Sequence, residues 1–386
     1  MQGSLKILHS YKVYRPDIDG GIPFVIAALS RLVDNDVTNG ILVARRVGKA
    51  RRYVIDDVPV EALSSLGTIF STPIAPAFPL VLLRRSSAVD IVVHHAPFPL
   101  ADMVSSFLPD DVALIVYWHA DIVGHSWLKT LMTPVIKRTL RRANRIVVSD
   151  RTIVDNSPLL SPFADKCVVV PYGVDVDFWN TPSAMERNTA LRLRDQYPRM
   201  VLTIGRLVPY KGLDVLLRAM QELDAQLIII GEGPLEMDLK RTASDTGLTA
   251  RVTFAGRLAR SDMKTYLHAA RVLAFPSVTS AEAFGIVQLE AMAAGLPIVN
   301  TALTTAVPHI ARHEKESLTV PHHDSHALAA AIRRILDEPT LAGRLGEAGH
   351  LRARTEYSND RFLSRMKVVY DEVTQSCQRN RSNTVG

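Results

Sequence analysis

Cysteine is nearly absent. The 386 residues carry two, Cys167 and Cys377, and they form no spacing motif. That excludes a disulfide framework and points to a cytosolic protein with inert thiols. No window approaches eighteen uninterrupted apolar residues, so no membrane span is expected. The apolar run near the start, in "MQGSLKILHSYKVY", is too short for a secretion signal. Short repeats and low-complexity tracts are missing. Neither the His94–His95 pair nor His322–His323 has metal-ligand spacing. The Walker pattern G-x-x-x-x-G-K-[ST] does not occur. A formal net charge of +6 is modest and gives no ground for a nucleic-acid partner.

What is present is the composition of a globular chain, 47% apolar and too long for one ordinary core. Short β-branched runs recur at helix-length intervals. In the first half they are "LKILHS", "NGILVA", "VDIVVHHA", "VALIVYWH", "RIVVS" and "CVVVPYG". In the second half they are "MVLTIG", "AQLIIIGEG", "RVTFAG", "RVLAFPS", "LPIVN" and "SLTVP". Continuous apolar strands of this kind suit parallel sheets covered on both faces. Amphipathic stretches such as "LDVLLRAMQELD" supply the covering helices. The expectation is α/β architecture with two Rossmann-like domains facing across a cleft. The break is placed in the polar, aperiodic stretch 170–188. The boundaries read 1–172, 173–355 and 356–386, the last a C-terminal helix packing back on the first domain and a disordered tail, "RNRSNTVG". Ligands in such sheets gather at the carboxyl ends of the strands.

Several loops at those ends carry chemistry-bearing residues. Gly20 and Gly21 precede the helix "PFVIAALSRL" and suit either an ordinary turn or a backbone cradle for phosphate. Arg206 and Lys211 lie in the glycine-bounded loop "GRLVPYKG" before another helix, as a diphosphate clamp or as solvated charges. "IIIGEGP" has Gly231 and Gly233 without a third glycine, which argues against a dinucleotide site. His119 ends a strand of the first half and is either structural or aimed into the cleft. "DVD" at 175–177 imitates a metal-binding Asp-x-Asp, but its place between domains marks it as structural. "TPVIKRTLRRANR" reads as a basic amphipathic helix with Thr133 as N-cap and Pro134 at its first position. Over residues 126–148 six cations, Lys129, Lys137, Arg138, Arg141, Arg142 and Arg145, occur without an acid, which suits an anionic membrane surface.

The segment "SAEAFGIVQLEAMAAG" sets Glu282 and Glu290 in otherwise apolar or small surroundings. A buried carboxylate without a partner costs several kcal/mol, so something must donate to Glu290. An arginine would serve, as would sugar or ribose hydroxyls. The amides of Phe284, Gly285 and Ile286 begin the helix and have no intrahelical acceptor. One segment therefore offers two carboxylates and a set of N–H groups. A capping glutamate with a structural ion pair is the competing reading.

Together, "GRLVPYKG", "GEGP" and "SAEAFGIVQLEAMAAGLPIV", in that order, resemble the retaining GT-B glycosyltransferases, a large family that includes bacterial mannosyltransferases and sucrose synthases. The Glu282–Glu290 spacing matches that family's E-x7-E motif. The resemblance implies that Arg206 and Lys211 hold the donor diphosphate and that Glu282 binds the transferred sugar beside the Phe284 and Gly285 amides. It further implies that Ile286 belongs to the same amide set, that Glu290 binds ribose and that His119 contacts the sugar from the first domain. Gly20 and Gly21 would loop over the phosphates, and Arg257 and Leu258 would lie by the base. It implies no metal and no cofactor beyond the nucleotide-sugar substrate. The expected activity is transfer of a hexose, foremost mannose from GDP-mannose, to a lipid-linked saccharide in polysaccharide or lipopolysaccharide synthesis. The expected location is cytoplasmic, peripheral on the inner face of the plasma membrane. Competing readings are a UDP- or deoxysugar donor, a nucleotide-sugar 2-epimerase of the same fold, and a non-catalytic nucleotide-sugar binding module.

Overall fold

A computed structural model describes residues 4–18, 20–31, 37–70, 72–121 and 126–384, with side chains from 126–129 and beyond 377 left out of the description. Lys129's side chain and residues 385–386 of the tail therefore lie outside the described set. The chain divides into two compact units, Met1–Tyr172 with Phe362–Gly386, and Gly173–Arg361.

The first unit runs β1 (Leu5–Ser10), α1 (Gly21–Ser30), β2 (Val37–Ala44), β3 (Arg51–Ile55), β4 (Val58–Leu63), β5 (Thr68–Ile69), β6 (Thr72–Pro73), α2 (Phe78–Ser86), β7 (Ile91–Ala96), α3 (Pro99–Ser105), β8 (Ala113–Trp118), α4 (Ser126–Arg142), β9 (Arg145–Val148), α5 (Arg151–Asp155) and β10 (Cys167–Val169). Its main sheet has the order β10-β9-β8-β7-β1-β2-β4-β3. Every pairing is parallel except β3 with β4. β7 and β8 are buried at every residue, as strands covered on both faces must be. β3 and β4 were not anticipated, because "RRYVI" opens on two arginines and no residue of it is fully buried, while "VPVEAL" is broken by Pro59 and Glu61. An edge hairpin with one wet face has that pattern.

The second unit runs α6 (Val176–Asn180), α7 (Ala184–Gln196), β11 (Met200–Ile204), α8 (Leu213–Met220), β12 (Gln226–Ile230), α9 (Glu236–Asp245), β13 (Val252–Gly256), α10 (Arg260–Ala269), β14 (Val272–Phe275), α11 (Ile286–Ala293), β15 (Ile298–Thr301), α12 (Val307–Ile310), β16 (Ser317–Val320), α13 (Ser325–Asp337) and α14 (Pro339–Glu356). Its sheet, β13-β12-β11-β14-β15-β16, is parallel throughout. This is the doubly wound order, whose topological switch point lies between β11 and β14. The helix α15 (Asn359–Thr384) ends the described chain.

Three local expectations change. The stretch 170–188 is not aperiodic coil: it contains α6 and the start of α7, whose capping box joins Ser183 and Glu186 in both directions. Pro134 is interior to α4 rather than at its first position, the helix having begun at Ser126. The tail is helical to Thr384 instead of disordered, since charged residues continue a helix as readily as they form a polar coil.

Candidate active site

The loops leaving β11 and β14 meet at the switch point of the second unit. After β11 come Gly205 and Arg206, then a 3₁₀ turn over Pro209–Lys211, then Gly212, which caps α8. After β14 come Pro276 and Ser277 and the run to Gly285 that opens α11. The Val278 amide donates to the Tyr210 carbonyl at 2.8 Å and ties the loops together. Gly212 has φ 62°, and a Cβ there would stand 2.1 Å from the Pro276 carbonyl oxygen. No other residue fits without parting the two loops. A crevice is lined by Thr203, Gly205, Arg206, Lys211, Phe275 and Ser277, among others.

Within it Lys211 Nζ and Glu282 Oε2 are 2.5 Å apart, with 14% and 10% of the two side chains exposed. The Ser277 hydroxyl donates to the same Glu282 oxygen at 3.1 Å. The ammonium also lies 4.9 Å from the centre of the Phe275 ring. Withdrawing such a pair from water is costly, and geometry of this quality is what offsets the cost. Arg206 is different: it is exposed and forms no ion pair among the described residues.

Gly285 precedes α11 with φ 83°, and a Cβ there would fall 2.7 Å from Phe275 Cζ. Neither the Gly285 nor the Ile286 amide donates to another backbone group among the described residues. They form the positive end of α11, beside buried Phe284. The Glu290 carboxyl, on the same helix, forms no hydrogen bond or ion pair among the described residues. Its residue keeps some contact with solvent, yet its carboxyl is set deep enough that burial raises its pKa from 4.5 to about 7, with the Arg260 charge opposing. Arg260 itself stacks over Phe178 at 4.7 Å.

A buried polar lattice supports these loops. Asn300 Nδ2 donates to Gln288 Oε1 at 2.9 Å and to the Ala311 carbonyl at 2.9 Å, while Thr319 donates to Asn300 Oδ1 at 2.7 Å. Thr301 Oγ1 donates to the Ser277 carbonyl at 2.6 Å. The Ala306 amide donates to the Ala283 carbonyl at 3.2 Å, which seats the next loop beside Glu282. Ser277 and Tyr210 were missed in the sequence. A serine two residues past a buried strand carries no signal of its own until Glu282 folds onto it. Gly231 and Gly233 face the backbone of 205–207 rather than open space: the Leu207 amide donates to the Glu232 carbonyl at 3.0 Å. Arg257, exposed, and Leu258, half-buried, follow the carboxyl end of β13.

Gly20, Gly21 and His119 belong to the first unit. α1 begins at Gly21, with Gly20 at its N-cap and no side chain capping it. His119, at the carboxyl end of β8, is buried in a chain of hydrogen bonds. His119 Nδ1 meets the Tyr172 hydroxyl at 2.6 Å and Nε2 meets His95 Nδ1 at 2.9 Å. His95 Nε2 meets His9 Nδ1 at 3.1 Å, and His9 Nε2 meets Asn39 Oδ1 at 3.3 Å. Asn39 Nδ2 donates to the Ser30 carbonyl at 3.2 Å, so its oxygen is the acceptor toward His9. Every donor then follows: three neutral rings each carry their proton on Nε2, and Tyr172 donates into the chain. Burial holds all three below the usual histidine value, His9 at about 4 and His119 at about 3. The ring of His119 thus has both nitrogens engaged inside its own unit. A ring contact with a sugar would break one of these bonds.

Asp175 caps α6 by accepting from the Phe178 amide at 3.0 Å, the structural role expected for "DVD". On α4, Arg142 is committed to the Pro109 and Val112 carbonyls, each at 2.8 Å, and Arg145 is not on the helix at all but opens β9, paired with Glu372 on α15 at 3.3 Å. Lys137, Arg138 and Arg141 form no ion pair among the described residues. The basic face is therefore narrower than a count of cations suggests.

Residues 186–352 match the family described as glycosyl transferases group 1, and residues 20–178 match glycosyltransferase family 4. The chain is 29% identical over 377 residues to O-antigen chain mannosyltransferase C of Escherichia coli, covering 96% of this chain and all of that one. It is 29% identical over 357 residues to D-rhamnosyltransferase WbpZ of Pseudomonas aeruginosa, covering 91% of each. In fold it is similar to sucrose-phosphate synthase from Thermosynechococcus elongatus, with a TM-score of 0.81 at 21% identity over 96% of this chain and 100% of that one.

Proposed function

Since the chain belongs to the GT-B glycosyltransferases, with a group 1 segment in its second unit and a family 4 segment in its first, we propose that it transfers mannose from GDP-mannose, with retention, to a lipid-linked saccharide of cell-surface polysaccharide synthesis. The observation that carries this reading is the Lys211–Glu282 pair at the switch point, beside unpaired Arg206 and the start of α11. The name of the O-antigen mannosyltransferase relative supports the choice of sugar.

Chemistry follows from charge. When the sugar–phosphate bond breaks, the departing nucleoside diphosphate gains negative charge, and Arg206, Lys211 and the α11 amides are donors suited to it. The anomeric carbon becomes oxocarbenium-like. Without ligand, Lys211 and Glu282 neutralise each other. With donor present, the ammonium would turn to phosphate and Glu282 to the sugar hydroxyls, so each charge exchanges one polar partner for another and neither is left buried alone. Glu290 would accept from the ribose hydroxyls, Arg257 and Leu258 would flank the base, and the first unit would receive the acceptor. These roles require no metal.

The test is a panel of nucleotide sugars, read first by thermal shift and then by turnover with a lipid-linked acceptor. GDP-mannose is expected to give the largest shift and to be consumed only when acceptor is present. Release of an epimer from donor alone would establish the 2-epimerase reading instead. Tight donor binding with no turnover on any saccharide would favour a binding module. The same 29% identity to a D-rhamnosyltransferase favours a second donor class, a deoxysugar nucleotide, and the same panel separates it. Among the described residues no helix is long and apolar enough to cross a membrane. Contact with a lipid-linked acceptor is proposed to be peripheral, with Arg138 and Arg141 on α4 as one cationic contribution.

A further inference from the structure

A second surface of the first unit combines exposed apolar side chains with excess positive charge, and it does not involve α4. The loop from β2 to β3 and the β5–β6 hairpin are knitted together: the Gly48 amide donates to the Ser65 carbonyl at 2.8 Å, the Ser65 amide returns a bond to Gly48 at 3.0 Å, and Thr68 Oγ1 donates to the Arg46 carbonyl at 3.0 Å. Four large apolar residues project there, Val47 59% exposed, Leu66 79%, Ile69 54% and Phe70 52%. A cluster of this kind on one small hairpin and the loop beside it is unusual for a surface that meets only water. Around it, residues 45–52 supply Arg45, Arg46, Lys49, Arg51 and Arg52 and no acid. The nearby carboxylates are already engaged, Asp17 with Arg45 at 2.6 Å and Glu61 with Arg52 and Arg85, each at 2.8 Å. Arg46, Lys49 and Arg51 form no ion pair among the described residues.

Position adds to composition. The loop leaves the carboxyl end of β2, the hairpin leaves the carboxyl end of β4, and Arg51 of antiparallel β3 sits opposite Ala62 at that same edge. It is the edge of the sheet at which α/β units receive ligands. We propose that the 45–51 loop and the β5–β6 hairpin dock on an anionic lipid bilayer. Leu66, Ile69 and Phe70 enter the interfacial layer while Arg46, Lys49 and Arg51 meet lipid phosphates, so that a membrane-borne acceptor arrives at the ligand-receiving edge of this sheet. Apolar burial and cation–lipid attraction reinforce each other in such contacts. The acceptor clause rests on the transferase reading; docking itself does not.

The experiment is co-sedimentation of the full chain with vesicles of phosphatidylcholine alone and of phosphatidylcholine with phosphatidylglycerol. Binding to the anionic vesicles is expected, falling as salt is raised. R46Q/K49Q/R51Q should weaken partitioning on the order of a hundredfold, about fivefold per cation. L66S/I69S/F70S should weaken it while leaving the charge unchanged. Circular dichroism and the nucleotide-sugar thermal shift, which report the fold and the second unit's site, should match wild type in both variants. Unchanged partitioning of both variants would overturn the proposal. So would equal binding to neutral vesicles, or loss confined to R138Q/R141Q on α4. Self-association without vesicles that L66S/I69S/F70S abolishes would overturn it as well, by making the hairpin a contact between copies. None of these readouts uses transfer activity, so docking fails or stands apart from the assignment of donor.

Discussion

Each unit buries a polar centre at the carboxyl ends of its strands, and the two centres are built on opposite principles. In the first, Tyr172, His119, His95, His9 and Asn39 form a chain of hydrogen bonds in which both nitrogens of every ring are engaged and every ring is neutral. In the second, Lys211 faces Glu282 as an ion pair, while exposed Arg206 and the Glu290 carboxyl form no ion pair among the described residues, the latter feeling only the Arg260 charge. Low polarity strengthens a satisfied hydrogen bond and penalises an unsatisfied one, which suits the histidine chain to holding strands together. A centre with unspent charge suits a ligand that brings charge of its own. Polar burial alone therefore does not identify a site; spare bonding capacity does.

Acid is the strongest way to break this contrast. The folded histidines hold protons less well than free imidazole, so the unfolded chain takes them up preferentially below pH 6.5. Their stabilisation is complete above pH 6.5 and is lost as the pH falls toward about 4 for His9 and about 3 for His119. His9 alone accounts for about 3 kcal/mol at ~1.4 kcal/mol per pH unit. Thermal melts between pH 7 and pH 4 should show a steep loss, and H9F should flatten it.

In the second unit, E282A should lower turnover at least on the order of a hundredfold, as losing one transition-state contact does, with the fold retained by circular dichroism. Near-normal rates would remove Glu282 from the chemistry. A smaller effect is expected at Glu290. If its carboxylate accepts from ribose, nucleotide affinity should rise as the pH passes through about 7. The gain from pH 6 to pH 8 should be roughly tenfold, in line with ionisation of one group. Titration calorimetry should detect the slope, and E290Q should abolish it. Treatment with EDTA should change turnover least, to no measurable extent. A large loss would point to a metal site that the present assignment does not contain.

All six strands of the second sheet were legible as continuous apolar runs, because a parallel strand covered on both faces has almost no polar positions. β3 and β4, with one wet face, carried no such mark. Arg206, Lys211, Glu282 and Glu290 were legible as residue types in glycine-bounded loops and a buried helix. That Lys211 pairs with Glu282 was not, since 70 residues separate them and only the β11–β14 adjacency brings them to 2.5 Å. Arg142 reads as one more cation in the sequence and becomes a structural donor once two carbonyls close around it.

By itself, then, the sequence determined the alternation of strand and helix, the two-unit plan and which loops carry charge. These are local properties, set by side-chain pattern and by glycines that only certain turns require. Tertiary structure decided which charges neutralise each other, which histidines share protons and which cations stay unpaired. Such facts depend on distances between segments remote in the chain, and a carboxylate or an imidazole acquires its role from the partner that folding sets beside it.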